Sequence, residues 1–79
     1  MHDAKQTLER QFPEMRWRCL SLAADLDRIQ RATGGDAILS SDPRLQMLRR
    51  AIEVLNEPGP DRAERVQMLF SDTSPAPTR

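Results

Sequence analysis

Apolar residues recur early in the chain at Leu8, Phe12, Met15, Cys19, Leu22, Leu26 and Ile29, in steps of 4, 3, 4, 3, 4 and 3 residues. That spacing lays one stripe along a helix. The local run RWRCLSL nearly alternates as a half-buried strand does, but Leu20 breaks the alternation and the longer pattern is helical. Ala23, Ala24 and Ala32 add helix propensity. Glu14 before Arg18 and Asp27 before Arg31 place acid ahead of base at four-residue spacing. Pro13 suits a first-turn position and Gly34-Gly35 a left-handed stop, so the spacing predicts a helix over 13–33. Residues 3–11 then form a short helix of their own, because a proline inside a helix costs about 3 kcal/mol. The stripe keeps its phase across Pro13, which leaves a single helix as the other solution.

Two further helices follow. Asp42 and Pro43 read as an N-cap and a pre-set first residue, and the run PGP at 58–60 ends the segment, predicting a helix over 43–57. Leu45, Leu48, Ile52 and Leu55 form its central stripe, with Met47, Ala51 and Val54 widening it on one side. In DRAERVQMLF, Asp61 and Glu64 have capping-box spacing, and Ala63, Val66, Leu69 and Phe70 share a face, predicting a helix over 61–71. The linker GGDAILSSDP is long for a helix connection, and Ile38 and Leu39 are expected to fold over the end of the bundle. The fold class expected is therefore all-α, a small three-helix bundle with room for a short N-terminal helix. The expected divisions are an N-terminal segment over 1–12, one helical domain over 13–71 and a flexible tail over 72–79, where SDTSPAPTR is polar and proline-bearing.

Composition changes this picture little. Seventy-nine residues hide a modest fraction of their surface, and one cysteine permits no internal disulfide, so association is a natural source of extra stability. Basic and acidic residues balance at 12 each, which removes any overall field toward nucleic acid or anionic lipid. No apolar run approaches membrane-spanning length, and MHDAKQTLER lacks the apolar stretch of a secretion signal, so a cytoplasmic protein is expected.

Candidate chemistry is sparse. His2 is the single histidine, there is no tyrosine, and Cys19 falls within the apolar stripe, where a thiol is inert packing. A nucleophile needs a base and an orienting group beside it, and no such set is visible. Metal-ligand spacing is absent, and Asp25 and Asp27 diverge on a helix. ATGGDAILSSDP lacks the lysine and spacing of a phosphate loop. The expectation is a non-enzymatic chain without cofactor, metal or small-molecule substrate.

One surface calls for a partner. At 100° per residue, Trp17, Leu20 and Ala24 gather on the side opposite the main stripe, rimmed by Arg16 and Arg28. Cover by the rest of the chain, a second copy, or another protein would each account for it. Tryptophan is a favoured interface anchor, so a helical interaction module, self-associating as a homodimer through Trp17 and Leu20, is the functional expectation. The alternative is a small nucleic-acid-binding regulator using Arg49, Arg50, Arg62 and Arg65 of the second and third helices. Zero net charge and the acids Asp61 and Glu64 weigh against it.

Overall fold

The structure is a computed structural model and describes residues 3–72, the side chain of Asp72 excepted. The fold is all-α. Four helices follow one another: α1 (Ala4–Arg31), α2 (Gly35–Ser41), α3 (Pro43–Asn56) and α4 (Arg62–Asp72). Three are the helices that the apolar spacing predicts, and the short extra one occupies the linker and not the N-terminus. His2 and residues 73–79 of the expected tail lie outside the described residues.

α1 takes the single-helix solution. Its 28 residues run through Pro13, giving a rod of about 42 Å. The helix starts earlier than expected because Asp3 caps it. The Gln6 backbone N–H donates to Asp3 Oδ1 at 2.9 Å, and the Asp3 N–H donates to Gln6 Oε1 at 3.1 Å, a reciprocal capping box. With its first turn satisfied, the helix tolerates one missing donor at Pro13. At the other end the Ala32 N–H closes onto the Ile29 carbonyl at 3.1 Å, and Gly34 takes φ +79. The Gly34 carbonyl then accepts from Ile38 at 3.1 Å, so the chain enters α2 at once. This turns the predicted loop into a helix, and Ile38 is exposed where folding over the bundle end was expected.

The chain divides into two compact units between Leu39 and Ser40. In the second unit, α3 packs against α4. The buried hydrophobic side chains of the described residues are Ala51 and Val54, three positions apart on α3, with Leu45, Met47 and Leu48 half-buried. Ile52 and Leu55, expected at the centre of the stripe, are exposed. The buried face is therefore rotated toward the flank that had only seemed to widen it. On α4, Val66 and Leu69 are half-buried, while Ala63 and Phe70 are exposed. Asp61 does not take the extended backbone of an N-cap but a φ of 65°.

α3 is capped as the sequence suggests. Asp42 accepts the Arg44 backbone N–H at 2.8 Å, and the Arg44 guanidinium closes on both carboxylate oxygens, Nε to Oδ1 at 3.0 Å and Nη2 to Oδ2 at 2.9 Å. The Arg44 side chain, then its backbone N–H, holds the Asp42 carboxyl down at about 2, below its usual 3.8. A carboxyl depressed on folding stabilises above its unfolded pKa and loses that contribution as pH falls through the folded one. The cap is thus fully present at neutral pH and is lost between pH 3.8 and about 2. A far-UV circular dichroism titration is expected to show a step in that window. Asp42→Asn keeps a capping oxygen but removes the step, and a step that persists in that variant assigns it to another group.

Candidate functional site

The surface that sets this chain apart is the first half of α1. Every residue from Asp3 to Leu20 is exposed, although the segment carries Leu8, Phe12, Met15, Trp17 and Leu20. Trp17 is 62% exposed and Phe12 53%. Two expectations change here. Leu8, Phe12 and Met15 are not core, and Cys19 is an exposed thiol, not packing. Coverage rises only after Leu20: Leu22, Ala24, Leu26 and Ile29 are half-buried. Periodicity identifies an apolar face, whereas burial needs an element to cover it. Among the described residues, none from Asp3 to Leu20 is buried or half-buried.

The predicted interface residues are placed on this surface unevenly. Trp17, Leu20 and Arg16 are open, and Ala24 is half-buried. Arg28 is exposed but engaged, its Nη1 lying 2.7 Å from Asp25 Oδ1. Farther up the helix, Arg18 Nε lies 3.9 Å from Glu14 Oε2, the expected four-residue pair. Such exposed pairs add little stability. Glu9 and Arg16 take part in no ion pair or side-chain hydrogen bond among the described residues.

The arginines of the nucleic-acid alternative are arranged differently. Glu57, the C-cap of α3, gathers three of the four. Its carboxylate pairs with Arg65 and lies 3.3 Å from Arg50 Nη1, while its backbone carbonyl accepts from Arg62 Nη2 at 2.9 Å. Arg50 also bonds Glu53 at 3.1 Å, and Glu53 and Glu57 together hold its guanidinium more firmly protonated than usual. These contacts staple the α3–α4 turn and neutralise the charge that a phosphate would need. Arg49 alone of the four stays exposed without an ion pair or side-chain hydrogen bond among the described residues.

At the opposite end of the α3–α4 pair, Pro43, Arg44, Met47 and Phe70 line a shallow, mainly apolar cleft of about 200 Å³. It holds no convergent set of polar groups of the kind that orients a small ligand. Among the described residues no three His, Cys, Asp or Glu side chains come together in a metal-binding group, and no helix is long and apolar enough to cross a membrane. Comparison with known proteins adds no identity: no protein-family model matches the chain, and no curated protein or solved structure does so.

Two features that matter escaped sequence reasoning. The Asp3-to-Gln6 box was legible, since Asp followed three residues later by Gln is an N-terminal signature. Glu57 was not, because its role depends on the turn that brings Arg62 and Arg65 back beside the end of α3.

Proposed function

We propose that this chain is a small non-enzymatic interaction module that docks helix against helix through α1, with self-association as its first use. One observation carries the reading: the segment 4–20 is helical, exposed at every residue and rich in large apolar side chains. An exposed helix of this kind is marginal alone, because most helical stability comes from burying an apolar face. A contiguous apolar surface on a small protein marks a contact site. Trp17 and Leu20, with Arg16 beside them, form one docking face, and the Leu8–Cys19 stripe forms another. A cytoplasmic setting suits a chain with one open thiol, because a reducing compartment keeps it unpaired.

The test combines sedimentation with hydrogen exchange across the micromolar range. Mass is expected to rise with concentration, and the amides of residues 8–20 are expected to exchange more slowly as it does. A constant monomer mass with concentration-independent exchange in α1 defeats the reading.

A further inference from the structure

We infer that the occupant of the Leu8–Cys19 face is a second copy of this chain, its α1 running antiparallel and centred between Pro13 and Glu14 of both helices. The inference rests on the reading of α1 as a docking helix and specifies which face the second copy takes. Steps of 4 and 3 residues are the seam of a two-stranded coil: Phe12, Cys19 and Leu26 fill one core position of the heptad and Leu8, Met15, Leu22 and Ile29 the other. Glu9 and Arg16 directly follow Leu8 and Met15 and so flank the seam on one side, while Gln11 and Arg18 precede Phe12 and Cys19 and flank it on the other.

Charge selects among the ways of pairing two such seams. Parallel, in-register helices set Arg16 against Gln11 and Arg18 against Ala23, with no opposite charges matched. An antiparallel pair centred at Trp17 brings Arg16 against its own copy and Arg18 against its own copy, which repels twice. Centring farther along, between Leu20 and Ser21, offers Arg18 to Asp25, but it needs Leu22, Leu26 and Ile29 as a free seam. Those three are already half-covered, and Asp25 already holds Arg28. Centring at Arg10 sets Glu9 against its own copy, whereas the register centred between Arg10 and Trp17 lays Leu8 on the partner's Cys19 and Phe12 on the partner's Met15, using only exposed residues. It also sets Glu9 beside the partner's Arg16, twice by symmetry. Neither charge takes part in an ion pair or side-chain hydrogen bond among the described residues. Pro13 and Trp17 then lie on the outer side, so the Trp17–Leu20 face stays open in the dimer.

Disulfide trapping reads the orientation. In this register Cys19 and its copy stand about 16 Å apart along the axis, as do residues 8 and 19 of one helix. Neither pair can close. Wild-type protein under mild oxidation is therefore expected to form no rapid Cys19–Cys19 link at concentrations where its mass is dimeric, whereas Leu8→Cys links covalently to the partner's Cys19. Charge reversal is the second measurement and leaves the core untouched. Glu9→Arg and Arg16→Glu are each expected to weaken the dimer by about tenfold, and the double variant to recover most of that loss. A rapid wild-type Cys19–Cys19 link means parallel helices or an antiparallel pair centred nearer Cys19, and overturns this inference while leaving α1 as the docking element. A dimer indifferent to charge reversal but dissociated by Trp17→Ala overturns it in favour of the other face. A monomer at every concentration, with unchanged exchange in α1, removes both proposals.

Discussion

Gly35→Ala is expected to destabilise the α1–α2 junction by about 3 kcal/mol, the largest effect among the three glycines. Gly35 is buried, and a Cβ built on it stands 2.1 Å from the Ile29 carbonyl oxygen and 2.6 Å from that of Gln30. Both are backbone atoms of the last turn of α1, so no side chain can swing aside to make room. The Ile29 oxygen also accepts the Ala32 N–H, at 3.1 Å, so moving it away from a methyl group loosens the end of the helix. Gly34 is the internal control. It has φ +79 but nothing within 4 Å of its Cβ position, so Gly34→Ala meets only the left-handed backbone penalty of about 1 kcal/mol. Thermal unfolding followed by far-UV circular dichroism should place the Gly35→Ala midpoint well below that of Gly34→Ala. Equal midpoints would mean that the close approach is relieved at little cost.

The two glycines also show where reading a sequence stops. A Gly pair after a periodic segment announces the end of a helix, and α1 does end there. Nothing in the pair tells which glycine needs a left-handed backbone and which needs to lack a side chain, because that depends on how the next segment returns. It returns as α2, built from a stretch whose Gly, Ser and Asp content reads as loop. The same boundary runs through the candidate site. Spacing from Leu8 to Ile29 was enough to predict the helix and its apolar side. It could not predict that the described residues of the first half of that side are exposed, because a stripe looks the same whether its partner lies in the same chain or outside it. Glu9 and Arg16 were unremarkable residues until Arg18 and Arg28 proved to have local ion-pair partners and these two showed none among the described residues.

Val54→Ala is expected to destabilise the α3–α4 unit by about 2 kcal/mol, while Leu55→Ala changes it by less than about 0.5 kcal/mol. By residue type the order should be reversed, since leucine loses more apolar surface than valine on truncation to alanine. Position decides otherwise. Val54 is 3% exposed and Leu55 57%, because α4 packs on the flank of α3 that carries Ala51 and Val54. Only a side chain removed from water in the native state leaves a cavity when it is shortened, and Leu55 has little burial to lose. The unit is also thinly provisioned: among the described residues its buried hydrophobic side chains are Ala51 and Val54, so a loss of about 2 kcal/mol is a large share of a marginal stability. Urea unfolding monitored by circular dichroism measures both variants against wild type, at a concentration low enough that association through α1 adds nothing to the midpoint. Should Leu55→Ala prove the more damaging, the inward face of α3 is the stripe of Leu45, Leu48, Ile52 and Leu55 after all. In that case Leu55 finds its cover in a contact made outside this pair of helices, and the interaction surface of the molecule extends beyond α1.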